Sequence, residues 1–354
     1  MDKEQHKDKE LKELLDIWTE IRGVDTEKGW KRINSELQGK QREKNGKLRL
    51  RITLGIAATV VLFLGAGLIS RQVRDMKENQ PMLVYAVNNN LPRLILEDGR
   101  QIVLDQTDIS GQTIGFQGIE INRSEKSIVY TTKDSLSEGE LKYNILEVPR
   151  GAEYKLVLAD GTQVWLNADS RLRYPVNFDR QERRVFLEGE AYFQVNKDAN
   201  RPFRVESAMQ TVEVLGTQFN VSAYGDEPEA YTTLVEGSVV VTSLLSGQDL
   251  KLHPGQQSVV ERQKKGISVR EVNTLQVSGW KDGVFVFDDQ NLEVILRKVA
   301  RWYDVEIFYK NEAVKSVVFK GNLPRYGKLP DLLKVLESGS GIRFSLKGRS
   351  LIIE

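Results

Sequence analysis

LVLADGTQVWLN, residues 156–167, alternates apolar and polar positions on both sides of an Asp-Gly pair. LILEDGRQIVLD, residues 94–105, repeats it at an offset of 62 with six identities in twelve. Alternation with period two places every second side chain on one face of a strand. The Asp-Gly pair supplies the positive φ that a tight connection needs, so each copy predicts a β-hairpin. A duplicated hairpin and two hairpins of separate origin both explain the pattern, and both make this region β.

Downstream, the same alternation predicts strands at 184–187, 191–195, 203–206, 211–215, 218–223, 232–235 and 238–242. Gly189, Gly216 and Gly237 fall between them and read as turn points, where backbone freedom is the reason for glycine. Short strands at regular spacing, without helical stretches, predict a sandwich or a solenoid-like stack. Near Gln276 the texture changes. VFVFDD (284–289) reads as a strand, and Asp289 or Asn291 as the cap of a helix over 292–303. That helix buries Leu292, Ile295, Leu296, Val299 and Trp302 or Tyr303 at steps of three and four. Strands at 305–309 and 317–322, a helix at 329–337 and two closing strands complete a βαββαββ order, a small α+β unit. Its open sheet edges offer a route for strand addition by a partner.

Upstream, ITLGIAATVVLFLGAGLI (52–69) is a run of 18 residues without charge. At ~1.5 Å per residue it makes a helix of ~27 Å, close to a ~30 Å hydrocarbon core. Six cations against one acid lie between Lys40 and Arg51, so the N-terminal side is expected to stay in the cytoplasm. A signal peptide would have a shorter apolar region and a far shorter leader. A buried soluble helix would show a polar stripe, and the run offers only Thr53 and Thr59. Before the run, Leu11, Leu14, Leu15, Trp18 and Ile21 share one helical face. Thr26 can cap a second helix that carries Trp30, Ile33 and Leu37. These two helices are either a hairpin packed on itself or an apolar face that folds onto a partner.

Composition narrows the chemistry. The chain has 354 residues, no cysteine, two histidines and a net charge of +1. No disulfide, thiolate metal site or cysteine nucleophile is available, and no global field favours nucleic acid. Absence of cysteine is compatible with an exported body large enough to hold a core without staples. His253, in KLHPGQ, reads as a solvated turn residue. No P-loop and no GxGxxG after a strand is present. No enzyme, cofactor or metal is expected; Glu190, in GEAYFQV, reads as a strand-edge charge.

Residues 151–242 resemble the periplasmic domain of FecR-type anti-sigma factors, through LADGTQVWLNADSRLRYP (158–175), RRVFLEGEAYFQV (183–195), RPFRVES (201–207), VEVLGTQFNVSAY (212–224) and TTLVEGSVVV (232–241). Residues 285–353 resemble the C-terminal domain that FecR-like proteins of Bacteroidetes carry, which is similar to the short N-terminal domain of secretins and TonB-dependent receptors. EKGWKRI, before a basic stretch and the apolar run, resembles the sigma-binding segment.

The resemblance implies a multi-domain membrane protein: a short helical cytoplasmic head (1–51), one transmembrane helix (52–69), a linker and first hairpin region (70–130), an all-β periplasmic FecR domain (131–275) and a small α+β interaction domain (276–354). It implies an inner-membrane regulator that relays occupancy of an outer-membrane TonB-dependent transporter to an extracytoplasmic-function sigma factor. The partners would be that sigma factor, the transporter's signalling domain and an intramembrane protease, with no direct nucleic-acid contact. Leu14, Trp18, Trp30, Ile33 and Leu37 would bind the sigma factor. Some relatives cleave themselves between the residues matching Gly216 and Thr217, by attack of the threonine hydroxyl on a strained carbonyl. A Gly-Thr entering a packed strand is the reading that these residues favour, and no catalytic residue is expected. The competing reading is a membrane-anchored periplasmic binding or scaffold protein, in which the head only retains the chain.

Overall fold

The computed structural model describes residues 91–104, 114–116, 119–122, 127–130, 141–264 and 266–354. The head with its sigma-binding residues and the 52–69 run lie outside them. Among the described residues no helix is long and apolar enough to cross a membrane.

The strands in chain order are β1 (Arg93–Ile95), β2 (Gln101–Val103), β3 (Ile114–Phe116), β4 (Ile119–Asn122), β5 (Ser127–Tyr130), β6 (Tyr143–Val148), β7 (Tyr154–Val157), β8 (Gln163–Leu166), β9 (Ser170–Pro175), β10 (Arg183–Gln194), β11 (Phe203–Glu206), β12 (Gln210–Val214), β13 (Gln218–Ala223), β14 (Glu229–Glu236), β15 (Val239–Ser243), β16 (Asp249–Leu252), β17 (Gln256–Glu261) and β18 (Ile267–Glu271). They form two sheets joined by one strand. One sheet runs β2-β1-β6-β9-β10-β11-β12-β15-β16. The other runs β3-β4-β5-β7-β8-β10-β13-β14-β17-β18. Alternate side chains of both sheets meet in a single core that includes Leu146, Leu156, Val164, Leu172, Val185, Phe193, Phe203, Phe219, Val221, Leu234 and Val241. This is the sandwich layout.

Gly189 corrects the sequence reading. It is not a turn between two strands but a switch inside one. Residues 186–188 of β10 pair with β9 in the first sheet, while residues 189–194 pair with β13 in the second. Its φ is 98°, and a Cβ would lie 2.4 Å from Ser170 Oγ, so the crossing requires glycine at this point. Gly216 and Gly237 do sit between strands, as expected.

The two Asp-Gly hairpins share one turn. Gly99 and Gly161 have φ of 83° and 82°, with matching bonds Gly99 N to Leu96 O and Gly161 N to Leu158 O, both 2.9 Å. Asp98 and Asp160 are not in the left-handed region. The connection is therefore the longer type in which glycine alone takes positive φ, rather than a two-residue turn with both residues left-handed.

After β18 come α1 (Thr274–Ser278) and a 3-10 turn (Gly279–Asp282), then β19 (Val284–Asn291), α2 (Leu292–Tyr303), β20 (Glu306–Tyr309), β21 (Val318–Pro324), α3 (Leu329–Ser340), β22 (Phe344–Lys347) and β23 (Ser350–Ile353). The predicted βαββαββ order is present. β19 pairs with β21, and β20-β23-β22 form a second small sheet. The apolar face of α2 packs with Leu329, Leu333, Leu336, Leu351 and Ile353. Neither predicted cap closes α2 with its side chain. Asn291 occupies the cap position without such a bond, and the first helical N–H, that of Leu292, donates to the Val317 carbonyl at 2.8 Å. Asp289 lies in a bulge of β19 and faces Lys320.

Candidate functional site

The C-terminal module is seated on the outer face of the second sheet, and the seam between them holds a connected set of buried and half-buried polar side chains. β8, β10 and β13 lie side by side there. They place Asn167, Glu190 and Asn220 together. Glu190 is the hub: Asn167 Nδ2 donates to its Oε2 at 2.7 Å and Asn220 Nδ2 to its Oε1 at 3.0 Å. Each amide oxygen then faces the C-terminal side. Asn220 Oδ1 accepts from Trp280 Nε1 at 3.2 Å, and Asn167 Oδ1 accepts from Arg325 Nη2. One carboxylate therefore fixes two amides, and the amides fix one residue before β19 and one after β21. Glu190 is not the edge charge that its sequence suggested, since β10 is paired on both sides at this point.

Two arginines complete the seam. Arg301, on α2, is 6% exposed and reaches back to Glu227 Oε1 at 2.6 Å and Asp226 Oδ1 at 2.7 Å. Its guanidinium carbon stands 3.7 Å from the centre of the Tyr224 ring, and its carbonyl accepts from Gly151 N at 2.9 Å. Burial raises the Tyr224 hydroxyl far above the ordinary tyrosine value, so it stays protonated and donates to the Ala168 carbonyl at 2.9 Å. Arg325 is 1% exposed, lies 3.9 Å over the Trp302 ring and faces Glu153. Desolvation pulls it below the usual arginine value, yet an arginine this basic remains charged. Its carbonyl accepts from Trp302 Nε1 at 2.7 Å and from the Tyr303 hydroxyl at 3.2 Å. Lys298, one turn before Arg301, has its ammonium lowered by burial against the opposing pull of Glu190 and Glu227.

The two acids that hold Arg301 differ in burial, which separates their contributions. Asp226 is 67% exposed and Glu227 14%. Asp226→Asn is expected to change thermal stability by well under ~1 kcal/mol, whereas Glu227→Gln costs ~1–2 kcal/mol by leaving a buried guanidinium without its enclosed partner. Thermal unfolding of both variants checks the order.

Elsewhere, Thr217 is buried and its hydroxyl donates to the Ser238 carbonyl at 2.9 Å. The site for a Cβ at Gly216 is blocked by Lys197 Cγ at 2.4 Å. His253 is an exposed turn residue whose N–H donates to Gln256 Oε1 at 3.0 Å. Sequence reading missed the seam as a site. Its one signal was polar residues inside strongly alternating motifs: WLN ends in Asn167, GEAYFQV carries Glu190 and QFNV carries Asn220, so three motifs of the family resemblance each supply one seam residue.

Comparisons with known proteins agree with these two modules. The family described as FecR protein matches residues 144–240, and the family described as FecR, C-terminal, matches residues 284–353. A crystal structure of a protein provisionally named an anti-sigma factor, from Parabacteroides distasonis ATCC 8503, is 28% identical, with a TM-score of 0.55 over 59% of this chain and 98% of that one. A second crystal structure described in the same words and from the same organism is 27% identical, with a TM-score of 0.55 over 60% and 98%. The search of curated proteins finds no significant match. With both family domains in the expected order and solved relatives matched over about three-fifths of its length, the chain belongs to the FecR-type anti-sigma factors.

Proposed function

We propose that the chain is a single-pass regulator of the inner membrane, with residues 1–51 in the cytoplasm, 52–69 across the membrane and the FecR domain and C-terminal module in the periplasm. The head binds an extracytoplasmic-function sigma factor, and the periplasmic body meets the signalling domain of a TonB-dependent transporter. The observation that carries this reading is the pairing of FecR and FecR C-terminal domains with an uncharged 18-residue run behind a basic flank. The seam bears on the relay. A module held by buried polar contacts passes force to the FecR domain when a partner pulls on it, which a module on a loose linker does not.

The test is co-purification of the full chain with the sigma factor. Leu14, Trp18, Trp30, Ile33 and Leu37 are the apolar anchors, and truncating the paired anchors Trp30→Ala and Ile33→Ala is expected to weaken capture at least ~tenfold. Undiminished capture removes those anchors. Unchanged transcription of neighbouring transporter genes after deletion of residues 1–40 favours the scaffold reading instead.

A further inference from the structure

The turn between β15 and β16 reads SLLSGQ (243–248) and carries no charge. It exposes two neighbouring leucines, Leu244 at 51% and Leu245 at 41%. A single exposed leucine is ordinary on a protein surface, but two side by side at a hairpin tip form an apolar projection. The backbone of this tip is closed in its own hydrogen bonding. Leu244 N donates to Met209 O at 2.9 Å, Leu245 N and Ser246 N both donate to the buried Ser243 Oγ at 3.3 Å, and Gly247 N donates to Ser243 O at 2.8 Å. These four donors need no water, which is the condition for moving backbone into an apolar phase.

Register shows which end of the sandwich the tip occupies. In the first sheet Arg93 stands opposite Glu147, Glu147 opposite Arg171 and Arg171 opposite Glu188. Farther across, Phe186 stands beside Glu206, Glu206 opposite Thr211 and Thr211 opposite Thr242. The first residue of β1 and the last residues of β15 therefore lie at the same end. The chain that leaves the uncharged run 52–69 enters the body at that end, after residues 70–92, a stretch that spans at most ~80 Å. The turn 261–266 lies beside the tip, with Ile267 N donating to Gln248 Oε1 at 3.4 Å. Its Arg262, Lys264 and Lys265 are offset by Asp226, Glu229, Asp249 and Glu261, so this end offers no net positive field that would select anionic lipid.

We propose that the β15–β16 tip is a second membrane contact, in which Leu244 and Leu245 enter the headgroup boundary of the bilayer that holds the run 52–69. The inference rests on the reading of that run as a span. Two leucines are a weak anchor for a free protein, but a short tether keeps the tip near the surface and turns insertion into an intramolecular step. The contact is apolar and therefore indifferent to lipid charge.

The chain has no cysteine, so Ser246→Cys can carry a single environment-sensitive fluorophore beside both leucines. The full chain is placed in phosphatidylcholine nanodiscs with and without doxyl-labelled lipid. The label is expected to be quenched by the doxyl lipid and shielded from aqueous iodide, and part replacement by phosphatidylglycerol should leave both results unchanged. Leu215→Cys is the control. Leu215 is 48% exposed and follows β12, which is antiparallel to β15, so it lies at the other end of the sheet. Its label should be open to iodide and untouched by the lipid quencher. Adding Leu244→Ser and Leu245→Ser to the Ser246→Cys chain should abolish lipid quenching. A Ser246→Cys label open to iodide in chains that stay in the disc, or equal lipid quenching at both labelled positions, overturns the contact. Shielding from iodide without lipid quenching overturns it too, and gives the leucines to a protein surface. Chains that fail to enter the discs overturn the span and the inference with it, so the two failures are told apart.

Discussion

Asp160→Ala is expected to destabilise the β body by ~3–5 kcal/mol, because it strands a buried guanidinium. Arg183 is 1% exposed and Asp160 6%, with Nη1 to Oδ2 at 2.8 Å. The same carboxylate accepts from Thr162 N at 3.0 Å and Thr162 Oγ1 at 2.7 Å, and Arg183 also donates to the carbonyls of Asn196 and Arg201. Loss of the carboxylate leaves the cation with carbonyl dipoles only, and its Nη2 is already without a partner. The equivalent position in the other hairpin is the control. Asp98 holds exposed Arg100, so Asp98→Ala should leave the unfolding midpoint in urea unmoved. The double variant Asp160→Ala, Arg183→Met should recover much of the loss by removing the stranded charge. A double variant as unstable as the single one would mean that the turn geometry, and not the ion pair, is what Asp160 secures.

This contrast shows how far the sequence could be read. The repeat identified both hairpins correctly, because alternation and Asp-Gly chemistry are local. It could not say that one aspartate lies on the surface and the other over a buried arginine, since Arg183 is 23 residues away on β10. Helix α2 was legible to its last residue for the same local reason: its apolar positions follow the helical period and β19 ends in Asp-Asp-Gln-Asn. Its cap was not: Asn291 stands at the cap position without a side-chain bond, and the Leu292 N–H is met by the carbonyl of Val317, a residue distant in sequence. Gly189 misled for a related reason. A glycine between two alternating stretches looks the same whether the chain turns or changes sheets, and only Ser170 approaching from β9 decides it. Glu190 was read as an edge charge because nothing near it in sequence names Asn167, Asn220 or the C-terminal module. Polar side chains at outward positions of a strand are ordinary until another unit covers them.

Glu190→Ala is expected to loosen the C-terminal module from the FecR domain at a cost of ~2–3 kcal/mol, less than for Asp160 because Glu190 is only partly buried. Removing the carboxylate frees the amide donors of both Asn167 and Asn220, which then no longer hold their oxygens toward Arg325 and Trp280. The effect should be focused on the junction. Trypsin cleavage after Lys281, in the turn that carries Trp280, should speed up more than cleavage elsewhere, since local opening and not global unfolding exposes it. Glu190→Gln should fall between wild type and alanine. It keeps the shape but sets one NH₂ against an asparagine NH₂, so one of the two amides has to turn and surrender its bond across the seam. If both variants lowered the thermal midpoint without raising cleavage at Lys281, Glu190 would support the sheet rather than the junction. If cleavage at Lys281 rises while the thermal midpoint stays close to that of the wild type, Glu190 secures the junction of the two modules and not the sheet beneath it.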